Sequence, residues 1–365
     1  MVNQLKVDFN GVNVLDTPGV NHAINIKNLT EFAKTYSDRV GASMFHYPDT
    51  ATGAVSQKYT TRTVQHDRND ADNAYEARTF IDGVNTHFNE GFARRKTLLS
   101  AGAENNIILP LNRYSFFKSF ENEIAPNGKS TLDVSLESDN NVIFRAGAAA
   151  AGRYIITKFV LWVTKMIFNV EGEQKYLTKY LKPHVWSYLK ERIEISPSST
   201  HRQATFKITS SIRNPRHVFI WVLNDVKLNY QEQNMFLFNT YKIANDRTFS
   251  DAQLELSNRV FYPQERLQAT TELAKTYRTL MEYEKGFNSY FTRPAIDLES
   301  FKNLYGMLYF DLTNQELELK SGGTKIELRY TLSGNPNAAY SLYALILLEE
   351  EVSVNVVNGK VVLQA

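Results

Sequence analysis

At 365 residues, with 43% apolar and 22% charged side chains, the chain is long enough for two compact units or one large β assembly, and its composition is that of a folded protein. Its 41 Lys and Arg against 39 Asp and Glu leave a net charge of +2, too small for the broad basic footprint of a nucleic-acid binder, so any DNA contact is expected to be local. The absence of cysteine removes disulfide frameworks, thiol nucleophiles and thiolate metal sites together, and assembly has to rest on packing.

In chain order, the first residues, MVNQLKVDFNGVNVLD, carry neither a charged-then-apolar leader nor a small-residue cleavage site, so no secretory signal is expected. The sequon Asn28-Leu29-Thr30 is then expected to be incidental. Asp67 to Asp72 (DRNDAD) superficially matches a calcium loop, but Arg78 stands where the twelfth-position glutamate should be, and the stretch reads as a solvated loop. Arg94, Arg95 and Lys96 form the only tight basic run, just after Phe88 and Phe92. This run is the candidate for a local nucleic-acid contact or an intersubunit salt bridge, against the simpler reading of a solvated turn.

Beyond it, Leu132, Val134 and Leu136 alternate with Thr131, Asp133 and Ser135, the period-2 signature of a half-buried strand. Glu171 to Leu189 has helical character broken ahead of Pro183, giving two short helical pieces, and its tyrosines from Tyr176 to Tyr188 read as core or interface packing. The polar cluster Ile195 to Thr200 divides the chain almost evenly and is the expected boundary between units 1–195 and 196–365. His217 to Leu223, Gly306 to Leu312 and Tyr340 to Leu348 are short apolar runs rich in β-branched and aromatic residues, expected as strands buried on both faces. Ile326, Leu328, Tyr330 and Leu332 repeat the alternation. Between these strands, Thr270 to Phe287 is the clearest helix. Leu273, Ala274, Tyr277, Leu280 and Met281 share one face, an early Thr is available as a cap, and Gly286 lies near the end. Glu349, Glu350 and Glu351 close the Tyr340 strand and read as its emergence into water rather than a cation site. No run approaches about 18 apolar residues, so no membrane span is expected. With 22 Phe and 20 Tyr, the pattern favours an all-β class of sheets packed face to face, with a few short flanking helices.

Motifs for common chemistries are missing from the sequence. There is no P-loop, no GxGxxG, no GxSxG elbow and no HExxH, and the seven histidines (22, 46, 66, 87, 184, 201, 217) are scattered. The expectation is a protein that is not an enzyme and needs no cofactor.

Three stretches, FNEGFARR (88–95), IILPLNRYSFF (107–117) and STLDVSLESDNNVIFR (130–145), resemble in order and spacing the double jelly-roll major capsid proteins of Polinton/Maverick-type double-stranded DNA viruses and related capsid-like proteins of invertebrate genomes. The resemblance continues through NPRHVFIWVL (214–223), AQLELSNRVFYPQ (252–264) and the closing TKIELRYTLSGNPNAAYSLYALILLEEE, about three quarters of the chain in all. It implies a double jelly roll, two eight-stranded antiparallel sandwiches, with about 23 residues for each strand and its loop. It also implies a homotrimer with a pseudo-hexagonal outline that tiles an icosahedral shell beside a minor capsid or penton protein. Such a subunit would be located in the virion, assembled inside the host cell, and in weak contact with packaged DNA. The alternatives are a minor capsid or penton subunit, a domesticated jelly-roll binding module of monomeric or dimeric state, and a cupin-like metalloenzyme, which would want clustered histidines.

Overall fold

The computed structural model describes residues 1–48, 62–65, 77–80, 90–99, 102–121, 128–143, 150–180, 184–224, 238, 247–257, 260–269, 271–287, 295–314, 323–355 and 360–364. The N-terminal part holds strands β1 (Val2–Phe9) and β2 (Val12–Pro18), helices α1 (Val20–Glu31) and α2 (Lys34–Arg39), and the pair β3 (Arg62–Gln65) and β4 (Ala77–Phe80). Helices α3 (Glu90–Leu99) and α4 (Ser115–Lys118), strand β5 (Ser130–Leu136), and helices α5 (Asp139–Val142) and α6 (Val170–Tyr180) follow. The C-terminal part runs β6 (His184–Ile195), β7 (Gln203–Ile212), β8 (Pro215–Asn224), β9 (Phe249–Leu256), β10 (Val260–Leu267), helices α7 (Leu273–Glu284) and α8 (Leu298–Asn303), β11 (Leu308–Asp311), β12 (Thr324–Leu332), β13 (Tyr340–Asn355) and β14 (Lys360–Gln364).

β1 and β2 form a hairpin across Asn10-Gly11, both at positive φ (48° and 81°), the two-residue loop whose backbone twist matches that of the flanking strands. β5 adds to the other side of β1, giving the order β2-β1-β5. Along β1, Leu5, Val7 and Phe9 are buried while Lys6 and Asp8 are only half-buried, so one face of this sheet supplies a core and the other meets water.

The C-terminal strands form two antiparallel sheets. In one, β11-β8-β13 is extended by β6 on the far side of β13; in the other the order is β10-β9-β12-β7. Numbering the eight strands β6 to β13 from one to eight, the sheets read 1-8-3-6 and 2-7-4-5. That is the double Greek-key strand order of an eight-stranded jelly roll. The inner faces interdigitate through Phe206, Ile208, Ala252, Leu254, Ile326 and Leu328 from one sheet and Val218, Ile220, Leu342, Ala344 and Ile346 from the other.

A third layer explains why β8, β11 and β13 are apolar on both faces, as their sequences predict. Helices α1 and α7 cover the outside of the β6-β13-β8-β11 sheet. The His22 ring of α1 lies 5.1 Å from Tyr343 and 6.3 Å from Trp221, and Tyr283 of α7 packs edge-on at 4.9 Å from Phe219. Full burial of each such side chain contributes roughly 1.5–3 kcal/mol. The outer face of the other sheet carries charges paired across strands as Arg329–Glu255 and Arg266–Asp251, with the arginines about half exposed and Glu255 and Glu327 largely buried among their neighbours. The expected all-β class with short flanking helices is borne out.

Three local expectations are corrected. Glu171 to Leu189 is one helix followed by a strand, because the chain leaves α6 and enters β6 across the Pro183 region. Helix α7 has no side-chain cap. Thr271 donates to Gln268 instead. Of the predicted face, Leu280 is buried and Leu273, Tyr277 and Met281 pack half-buried against the core, joined by Thr276 and Tyr283, while Ala274 alone is exposed. β13 does not emerge into water at Leu348 but continues to Asn355, held by β6 on one edge and, in its last residues, by β14 on the other. The polar cluster at Ile195 to Thr200 is the β6–β7 connection, so β6, on the N-terminal side of residue 195, is the first strand of the C-terminal sandwich.

β6 and β13 also tie the two parts together. Their far ends, Trp186, Tyr188 and Val352, belong to the N-terminal core with Leu5, Val7, Phe9, Leu15, Tyr114 and Phe116, whereas Leu342 to Leu348 sit in the C-terminal core. One strand pair therefore runs through both hydrophobic clusters.

Candidate interaction surfaces

The seam where α1 meets β6 concentrates the buried polar chemistry. Lys27 of α1 places Nζ 2.6 Å from Glu191 Oε1 on β6, with the two side chains only 5% and 0% exposed. Lys27 also donates to the Arg113 carbonyl at 2.8 Å, and the Ser115 backbone N–H and hydroxyl both donate to Glu191 Oε1. Glu191 Oε2 finds no hydrogen-bond partner among the described residues. One turn further along α1, Glu31 accepts from Arg113 Nη2 at 3.0 Å and from the Tyr283 hydroxyl of α7 at 3.0 Å. Burial, with the Glu31 charge beside it, pushes the Tyr283 hydroxyl well above the ordinary tyrosine value. Apart from Glu191 Oε2, the polar groups named here are held by partners within the chain. The arrangement serves as a register device that fixes α1 against β6 and α7.

The sequence candidates are dispersed by the fold. Arg95 is buried on α3 and donates to the Tyr47 carbonyl, so its guanidinium is engaged within the chain. The side chains of Arg94 and Lys96 lie outside the described residues. Two of the acidic triplet pair with cations of neighbouring strands: Arg216 pairs with Glu349, and Lys190 lies 3.1 Å from Glu350, which also accepts from the Tyr188 hydroxyl, while Glu351 is exposed. Tyr188 is buried and Tyr176 packs against the N-terminal core, the packing role their spacing predicts.

Asn28 of the sequon is 5% exposed and accepts from Arg113 Nε at 3.0 Å, which leaves its amide inaccessible. Burial lowers the His22 imidazole to about 4, and burial together with Arg95 and Arg113 lowers that of His46 to about 3, so both are neutral at pH 7. His217 contacts the Tyr309 hydroxyl at 2.9 Å. No cluster of three His, Cys, Asp or Glu suited to a metal occurs among the described residues. DRNDAD, His66 and His87 lie outside them.

Sequence reasoning missed the segment Ala150 to Asn169. It follows α5, contains no regular element, and leaves a run of large apolar side chains in water, among them Trp162 at 88%, Ile167 at 86% and Ile155 at 84% exposure. Isolated exposed apolar residues are ordinary, but a contiguous stretch of this size marks an interaction surface. Its signal in the sequence is Phe159 to Val163, five apolar residues in a row, a run too short to stand out beside Tyr340 to Leu348. No helix among the described residues is long and apolar enough to cross a membrane.

No protein-family model matches the chain, and no curated protein matches it in sequence. Among solved structures, it is similar to PBCV-1 VP54 as fitted into a reconstruction of the virophage Sputnik. That likeness has 10% identity and a TM-score of 0.41 over 100% of this chain and 83% of that one. It is also similar to the mavirus major capsid protein, at 10% identity and a TM-score of 0.39 over 100% of this chain and 76% of that one. A chain of the Sputnik virophage structure gives 12% identity and a TM-score of 0.36 over 100% and 74%. The jelly-roll assignment above comes from this chain's own strand order.

Proposed function

We propose that the chain is a structural subunit, a major capsid protein that self-associates as pseudo-hexagonal trimers and tiles an icosahedral shell in the virion. The observation that carries the reading is the 1-8-3-6 and 2-7-4-5 strand order of β6 to β13, an eight-stranded jelly roll under a helical layer. It stands beside the ordered sequence resemblance of residues 88–95, 107–117, 130–145, 214–223, 252–264 and 324–351. The N-terminal sheet β2-β1-β5 is the start of the second sandwich, and the division between the two units falls ahead of β6. In this reading a minor capsid or penton protein closes the shell, the basic run at Arg94 to Lys96 makes at most a weak contact with packaged DNA, and assembly takes place inside the host cell. Charged side chains are spent on internal pairs, which suits a protein whose function is geometry and self-association rather than catalysis.

Negative-stain imaging of the purified chain tests this directly. Hexagonal blocks or closed shells are expected. Featureless single-domain particles at every concentration would overturn the reading.

A further inference from the structure

We propose that residues Ile155 to Val163 form a strand-exchange arm that adds to the open edge of β5 in a second copy of this chain; the inference rests on the self-associating reading above and names the element that carries it. Among the described residues, neither the arm nor the edge has a strand partner on its free side. β5 ends the sheet β2-β1-β5, with β1 on one side and no strand pairing on the other among the described residues. Its seven residues include Leu136 at 46% exposure. The arm, nine residues against seven, is long enough to cover it, is β-branched and aromatic, and has no strand partner among the described residues.

Area supports a second copy as the occupant. Ile155, Phe159, Leu161, Trp162, Val163 and Ile167 are each more than half exposed. Together with their partly exposed neighbours they present on the order of 1,000 Å² of apolar surface, against the ~800 Å² each partner contributes to a stable interface and the ~300–600 Å² patch of an ordinary monomer. Charge supports it too. Ala150 to Asn169 carries Arg153, Lys158 and Lys165 and no acid, while Ser130 to Val142 carries Asp133, Glu137 and Asp139 and no base.

Geometry adds the route. The Tyr154 N–H donates to Asp139 Oδ1 at 3.3 Å and its hydroxyl donates to the Glu137 carbonyl, which anchors the arm beside the end of its own β5. The chain then leaves that sheet and exposes every large residue from Ile155 to Ile167, until Phe168 stacks on Tyr176. An arm anchored beside one open edge and projecting from it is suited to reciprocal exchange, where main-chain hydrogen bonds supply affinity and the apolar side chains cover the sheet.

The full chain provides its own reporter. Of its three tryptophans, Trp186 and Trp221 are buried at 4% and 1% exposure, so acrylamide quenching reads Trp162. Protection of Trp162 by about threefold or more is expected as concentration raises the solution mass above 41.8 kDa. Leu161→Lys with Val163→Lys, both at positions already exposed in the single chain, should weaken association by about a hundredfold or more without lowering Tm. Because the chain has no cysteine, single-cysteine variants Ser135→Cys and Thr164→Cys, mixed and oxidised, should give a cross-chain disulfide dimer in excess of either variant alone.

Three results would overturn the inference. One is a mixed disulfide absent while a chain carrying both cysteines closes internally, which would place the arm on its own β5. Another is Trp162 protection by anionic phospholipid vesicles but not by concentration, which would make the occupant a lipid surface. The third is trimers or shells formed undiminished by the double-lysine variant, which would sink the exchange arm and leave the capsid reading standing. A native chain that stays at 41.8 kDa at high concentration sinks both.

Discussion

Replacing Lys27 by Met removes one half of a buried ion pair and leaves the other half in place. Glu191 is 0% exposed at its side chain, its Oε2 has no hydrogen-bond partner among the described residues, and after the substitution its charge retains only the Ser115 donors. Breaking a buried pair in this way costs about 3–5 kcal/mol. With an m value of roughly 3 kcal/mol per molar urea, the unfolding midpoint should fall by about 1–1.7 M. Removing both charges, Lys27→Met with Glu191→Leu, deletes the stranded carboxylate. The residual cost is then about 1–2 kcal/mol for the Ser115 and Arg113 groups that lose partners. The assay is urea unfolding followed by the fluorescence of Trp186 and Trp221, one in each core. A single variant within 1 kcal/mol of the native chain, or a double variant as unstable as the single, would refute the assignment of this pair as the seam's register device.

His46 and His22, lowered by burial to about 3 and about 4, are neutral in the folded chain and take up protons on unfolding below their ordinary value of 6.5. Their contribution is therefore present above pH 6.5 and lost as pH falls from there toward 3. His46→Asn should flatten the acid limb of a Tm-against-pH curve, and an unchanged limb would contradict the burial argument. Glu284 runs the other way. Burial raises its carboxyl to about 7 from 4.5, so its contribution is present below 4.5 and lost as pH rises through 7. Glu284→Gln should accordingly raise Tm at pH 8 relative to the native chain and leave pH 4 unchanged, as read by scanning fluorimetry. Phe219→Ala should cost about 3–5 kcal/mol, because the ring is packed against Tyr283 and Tyr309 between the sheet and α7, and a loss under 1 kcal/mol in urea unfolding would remove the third layer from the account.

What the sequence made legible follows local physics. His217 to Leu223 and Tyr340 to Leu348 carry apolar residues on both faces because helices cover the face that alternation would otherwise leave to water, and a nearly continuous apolar run is the mark of a strand with two covered faces. Alternation marked β5 and β12, and the 3.6-residue period marked α7. The seam was not legible. Lys190, Glu191, Arg192 and Glu194 carry no local mark of burial, yet Glu191 is buried because its partner Lys27 arrives from 164 residues away, a pairing no local pattern encodes. Pro183 signalled a break in a helix but not the change from α6 to β6, since both sides of the break are amphipathic. The arm was passed over because Lys158 and Lys165 divide its apolar residues into short runs, and exposure is a property of the fold rather than of the run.

The most direct measurement of the central claim is the solution mass of the purified chain by light scattering across a concentration range. Self-association as capsid trimers requires about 125 kDa, three times the 41.8 kDa of one chain, with larger assemblies above it. A constant 41.8 kDa at the highest concentration would contradict the account.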